Sequence, residues 1–335
     1  MSVSLWVWAA TIGGLAILVA IDIWHARRPH HVGFREATTW SVIYIVASIL
    51  FGIGVMIFAG AEPGTEFFAG WLIEKSLSVD NLFVFAVILS TFGVPDKHQQ
   101  KVLLIGILGA LVMRAIFIAV GAAAIHRFAF TFVVFGAFLI YTAVKLVRSH
   151  GAQPDVGNSR AVRMLRRFVP VTTEFPENSA LTVKENGKRL ATPLLIVVAT
   201  ILSVDLVFAL DSIPAVFGVT ESAYIVFTAN AFALLGLRAL YFLLIGLLDR
   251  LVHLHYGLAV VLAFIGVKLI LHYAHSVWPS VPDIPTSVSL AVVVVVLAIT
   301  TFTSLRSTRK ATHAVEGVES GAAAGGRKAG AADHG

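Results

Sequence analysis

The sequence predicts an all-α, polytopic membrane protein of about nine transmembrane helices, six of which form two inverted three-helix repeats. Three observations carry this reading. The chain is 58% hydrophobic and only 13% charged, with a mean hydropathy of +0.87, whereas soluble domains are roughly half apolar and a quarter charged. Apolar stretches of about 20 residues, each enough to cross hydrocarbon at 1.5 Å per residue, follow one another almost to the end. An apolar run with an aspartate at its centre, LSVD at 77–80, returns as LSVD at 202–205.

Residues 1–66 hold the first two spans, near 4–23 and 39–60. No basic segment precedes the first and no small-residue cleavage pattern follows it, so it reads as a retained helix. Residues 67–147 hold spans near 67–93, 101–124 and 128–147, the first repeat. Residues 148–191 form a basic loop with an amphipathic stretch, Ala161 to Phe168, then LTVKENGKRL, whose Asn186-Gly187 signals a two-residue hairpin. Residues 192–274 hold spans near 192–218, 224–247 and 253–274, the second repeat. Residues 275–309 comprise an outer loop and a last span near 286–305, and 310–335 are Gly/Ala-rich and expected to be disordered.

Orientation follows from the cations. With the N-terminus outside, Arg27, Arg28, Arg35, Lys97, Lys101, Arg148, the Arg160–Arg167 group, Lys184, Lys188, Arg189, Arg250 and Arg306 fall on cytoplasmic segments, and Arg127 stands alone outside. This asymmetry predicts an N-out, C-in protein of the cell (inner) membrane. The net charge of +6 is thereby assigned to topology and lipid contact, not to nucleic acid. The absence of cysteine removes disulfides, iron–sulfur clusters and thiolate metal sites.

Setting the third to fifth spans against the sixth to eighth aligns the two LSVD segments, Arg114-Ala115 with Arg238-Ala239, and VKL at 144–146 with VKL at 267–269, at a nearly constant offset. An odd number of helices per copy forces opposite membrane orientations, hence a pseudo-two-fold axis in the membrane plane and a site where the copies meet.

Inside the predicted membrane lie Glu74, Asp80, Asp205 and Asp211, with Asn81 and Ser212 adjacent. A carboxylate at the bilayer centre costs about 2.5–3.5 kcal/mol on insertion scales, so these groups are expected to face inward with partners or water. Glu74 and Asp211 lie about 9 Å outward of Asp80 and Asp205, respectively. In an unbroken helix the two acids of each pair are about 120° apart. Pro214 would break the second helix beside Asp211 and free backbone oxygens, while Glu74, Ser78 and Asn81 form an oxygen-bearing stripe on the first. Arg114 and Arg238 neutralise two of the four acids in this reading. The remaining charge and the oxygen-only surroundings suit a hard divalent cation, Mn²⁺, Mg²⁺ or Ca²⁺. Lys75, Lys145 and Lys268 are expected to snorkel, and His272 and His275 to be interfacial and hydrated.

The segments EKSLSVDNLFVFAVI (74–88), DLVFALDSIPAVFGVT (205–220) and ATPLL (191–195) closely resemble the TerC/Alx family of membrane proteins, part of the LysE-like transporter superfamily, over roughly residues 5–305. The resemblance implies a link to tellurite resistance, to Mn²⁺ export or to supplying metal to exported proteins. It places the family's acidic positions on Glu74, Asp80, Asn81, Asp205 and Asp211.

The function expected is export of a divalent cation, most compatibly Mn²⁺, with protons returning through the same carboxylates. Two charges moved outward cost about 4.6 kcal/mol per 100 mV, which calls for coupling, and metal binding to carboxylates displaces protons. The partners expected are lipid, metal and proton, with loop 148–191 as a surface for proteins; no permanent cofactor is expected. The alternative is a membrane scaffold or sensor in tellurium or metal stress, or one that delivers metal to secreted proteins. No enzyme is expected: there is no HExxH, Gly-x-Ser-x-Gly or phosphate-cradling loop.

Overall fold

The computed structural model describes residues 3–26, 32–148, 172, 175–176, 179–185, 188–244, 254–304 and 306. Segment Ala161–Phe168, Asn186-Gly187 themselves and the tail lie outside them. In hydrocarbon every backbone N–H and C=O must be satisfied within the chain, and the helix alone does so along one segment. The described residues follow that constraint. The elements are α1 (Leu5–Ala26), α2 (Phe34–Ala59), α3 (Ala61–Thr91), α4 (Asp96–Arg127), α5 (Thr131–Arg148), β1 (Thr182–Glu185), β2 (Lys188–Ala191), α6 (Pro193–Phe217), α7 (Ala223–Leu234), α8 (Leu237–Leu244) and α9 (Leu254–Val277), then α10 (Thr286–Ser304).

Among the described residues, eight helical segments are long and apolar enough to cross a membrane, with α7 and the start of α8 counting as one. Helix α3 matches them in length with 31 residues but carries Glu74, Lys75 and Asp80 in its middle. The antiparallel strands pair Thr182 with Ala191 through Glu185 with Lys188. The strands flank the Asn-Gly pair in the sequence, the pairing expected of a hairpin.

Two backbone expectations are corrected. Helix α6 stays helical across Pro214 to Phe217, so the break expected beside Asp211 does not occur. Proline removes one N–H, and so near a helix end the loss is small. The break falls instead in the seventh span, read from the sequence as one helix. Helix α7 ends at Leu234, Gly236 takes φ +74°, and α8 starts at Leu237. Left-handed backbone at that point favours glycine.

The packing partners are specific. Helix α3 lies against α7, α4 against α6, and α5 against α9, while α2 packs on α3 and α8. One buried apolar cluster joins α3, α4, α5, α6, α7 and α9 around Ile118, Phe217 and Ile265. A second lies around Leu82, Phe85, Leu103, Val197 and Tyr241, and a third sets α1 and α2 against α3 and α7 through Tyr44, Phe67 and Phe232.

Candidate functional site

Arg114, mid-way along α4, is the centre of the buried polar constellation. It is fully buried, as is Glu74, and Asp205 is 2% exposed. Its Nη2 donates to Asp205 Oδ1 at 3.0 Å and its Nε to Asp205 Oδ2 at 3.2 Å, the two-pronged geometry that guanidinium and carboxylate share. Its Nη1 donates to Ser212 Oγ at 3.2 Å and contacts Glu74 Oε1. Arg114 therefore bridges the acids of α3 and α6. A carboxylate in this apolar setting is tolerable only with such a partner.

The helical period explains which acids meet. Asp205 and Ser212 are seven residues apart, on one face of α6, and both reach Arg114. Asp211 is turned away from that face by 100° and accepts a hydrogen bond from Thr142 Oγ1 of α5 at 2.9 Å. The unbroken helix thus keeps the angular separation computed from the sequence, and Asp211 stands apart from the Arg114 group. Ser78, one turn after Glu74, is fully buried, and Asn81 is buried beyond it. Asp80 lies in α3; its side chain lies outside the described residues. Among the described residues no three metal-ligating acidic or histidine side chains converge; Arg114 lies between Glu74 and Asp205.

Several sequence expectations are overturned. Arg238 does not serve the Glu74–Asp205 group: its Nη2 donates to Asp22 Oδ1 of α1 at 2.9 Å, and Tyr44 Oη donates to the same oxygen at 3.2 Å. Asp22 is inconspicuous in the sequence because it falls near the end of the first apolar run. Like Asp80, it is an acid inside an apolar run, and that is its signal in the sequence. Lys75 does not snorkel; its Nζ donates to the carbonyls of Ala233 and Leu235 at 3.0 and 3.4 Å, the acceptors freed where α7 ends. Lys268 is buried and donates to Ser289 Oγ at 3.0 Å.

A cavity of about 770 Å³ opens where α3 starts and where α6 and α9 end, lined by Glu62, Glu66, Thr220, Glu221, Lys268, His272 and Asp283 among others. Thr220 Oγ1 donates to Glu66 at 2.6 Å. His272, far from merely hydrated, has one ring nitrogen 3.1 Å from Glu221 and the other 3.3 Å from Asp283, and His275 reaches the Val281 carbonyl. The hydrogen bond with His272 holds the Glu221 carboxyl below the usual carboxylate range, against the opposing effect of its burial. Glu66 lies about 12 Å along α3 from Glu74, which sets this acidic cavity about two turns of α3 from the Arg114 group.

A bundle of apolar helices with a buried Arg–carboxylate network defines an integral membrane protein with a polar centre. Residues 59–312 match the model of the integral membrane protein TerC family, and the chain belongs to that family. It is 48% identical over 274 residues to an uncharacterized membrane protein of Mycobacterium tuberculosis, covering 80% of this chain and 69% of that one. It is 45% identical to an uncharacterized membrane protein of Myxococcus xanthus, covering 78% and 82%. To the Escherichia coli K12 protein named "Putative membrane-bound redox modulator Alx" it is 40% identical, covering 84% and 89%. No solved structure matches.

Proposed function

We propose that this protein exports a hard divalent cation, most compatibly Mn²⁺, across the cell membrane in exchange for protons. The observation that carries the reading is Arg114, a buried cation on α4 held between Glu74 on α3 and Asp205 on α6. Buried ionisable groups within a membrane are costly and belong to ion pathways by default. Arg114 and a divalent ion are rivals for the same carboxylate oxygens. As the metal binds, the guanidinium swings aside, and as it leaves, the pairs or protons restore neutrality. Carboxylate, hydroxyl and amide oxygens suit Mn²⁺, Mg²⁺ and Ca²⁺.

Helix pairing supports alternation between two copies of a repeat. The first helix of the N-terminal triplet packs on the second of the other, the second on the first, and the third on the third, which is the pairing a two-fold axis in the membrane plane generates. Alx is named for redox modulation; this chain, without cysteine, has no thiol chemistry of its own.

The deciding experiment is Mn²⁺ uptake into inside-out vesicles under an imposed pH gradient, comparing wild type with Asp205→Asn, and with Ca²⁺ and Mg²⁺ as rival substrates. Uptake that needs both the gradient and Asp205 supports proton-coupled export. Uptake indifferent to the substitution, or absent for each cation, sinks the proposal and returns the acids to a structural role.

A further inference from the structure

Three side chains on α3 and α7 carry polar atoms that are buried without a hydrogen-bond partner among the described residues: Glu74, Ser78 Oγ, and both the oxygen and nitrogen of the Asn230 carboxamide. Asn230 is 1% exposed. Buried side-chain polar atoms are paired in the large majority of cases, and one that is not marks a role the protein fold alone does not explain. Glu74 at least contacts Arg114; Asn230 has nothing comparable.

The neighbours of Asn230 on α7 fix its direction. A Cβ built on Gly70 of α3 would lie 3.3 Å from Ala229, and further along Lys75 reaches the Ala233 carbonyl, so α3 and α7 run side by side in the same sense. Leu234 and Leu235 share a crevice with Ile107 and Leu111 of α4. Asn230 is turned 100° from Ala229 and sits one turn before Leu234, which points it between α3 and α4. Helix α4 follows α3 after a short turn and so runs the other way. Arg114, nearly one turn beyond Leu111, comes level with the turn of α7 that holds Asn230.

We propose that Asn230 is a ligand of the transported cation, contributed by α7, that adds a hard oxygen to those of Glu74 and Asp205 without adding charge. The inference rests on the export reading above and names a residue that neither acidic motif contains. A neutral oxygen in a dry pocket favours Mn²⁺ over Mg²⁺, because Mg²⁺ dehydrates reluctantly. Leucine at this position removes the ligand and also removes the stranded polar atoms, so the metal-bound and metal-free proteins respond in opposite directions.

The test is thermal unfolding of the purified full chain in detergent, titrated with Mn²⁺ or Mg²⁺. Wild type is expected to gain melting temperature with Mn²⁺ in a saturable way, and Glu74→Gln to lose that gain. Asn230→Leu is expected to melt at or above the wild-type temperature without metal, to need about tenfold more Mn²⁺ for the same gain, and to discriminate less between Mn²⁺ and Mg²⁺. Asn230→Asp, which keeps the oxygen and adds charge, is expected to need less Mn²⁺ than wild type. An unchanged Mn²⁺ midpoint in Asn230→Leu, or a Leu variant that fails to fold, overturns the assignment while leaving the export reading standing. A wild type insensitive to Mn²⁺, Mg²⁺ and Ca²⁺ overturns the export reading itself.

Discussion

Arg114 shows how much one residue in hydrocarbon can decide. It holds Asp205 by two hydrogen bonds and touches Glu74, and all three are buried. Removing one partner of such a network leaves uncompensated charge, at a cost of about 3–5 kcal/mol. Arg114→Met is therefore expected to lower the melting temperature in detergent sharply. Arg114→Lys, which keeps the charge but not the planar fork, should fall between it and wild type; a Met variant as stable as wild type would show that the acids are satisfied without the guanidinium. The same logic applies to the pair Arg238–Asp22. A double-mutant cycle with Arg238→Met and Asp22→Asn is expected to return a coupling of about 0.5–3 kcal/mol, and additivity would dismiss the pair. At this scale Glu74, Asp205 and both arginines are legible in the sequence because charge inside an apolar run is conspicuous, whereas Asp22, near the end of its run, is less so. The partnerships were not, since Asp22 and Arg238 are far apart in the chain and meet only through packing of α1 on the bundle.

Single helices obey local rules until another helix supplies what they lack. Glycine at 236 permits the positive φ that ends α7, yet the stranded carbonyls of Ala233 and Leu235 are answered from α3 by Lys75. The sequence suggests only snorkelling for Lys75 because its acceptors belong to a break about 160 residues away. Replacing it by methionine leaves those carbonyls without a donor and is expected to cost about 1–3 kcal/mol, with faster amide exchange confined to the α7–α8 junction; unchanged exchange there would mean water replaces the ammonium at no loss. Pro214 illustrates the opposite error. Proline is a strong local signal for a break, but so close to the end of α6 it displaces little. Helices α5 and α9 approach so closely that a Cβ on Gly136 would lie 2.6 Å from the Gly266 carbonyl, and one on Gly266 would lie 2.7 Å from that of Gly136, the small-residue contact that membrane helices use in place of a hydrophobic drive. Gly266→Leu must push the third helices of the two triplets apart and should lose about 1–3 kcal/mol or more, visible as a lower melting temperature with Asp205 and Arg114 intact.

For the whole molecule, the described parts place two landmarks at opposite ends of one helix. The β1–β2 hairpin ends where α6 starts, and the acidic cavity opens where α6 ends; its 25 residues separate them by about 37 Å, the thickness of a membrane with part of its interface. Whichever way the protein is inserted, hairpin and cavity face different compartments. The distribution of Lys and Arg predicts that the hairpin is cytoplasmic, and with it that the cavity lined by Glu62, Glu66, Glu221 and Asp283 opens outward, where it is the exit of the export path proposed above. With no native cysteine, single-cysteine reporters carry no background. Ser287→Cys at the cavity rim is expected to react with a membrane-impermeant maleimide in intact cells. Lys184→Cys on the exposed face of β1 should react only once the membrane is opened. Reversal of the two would invert the protein and make the cavity its cytoplasmic mouth, so that the proposed export path would begin at the cavity instead of ending there.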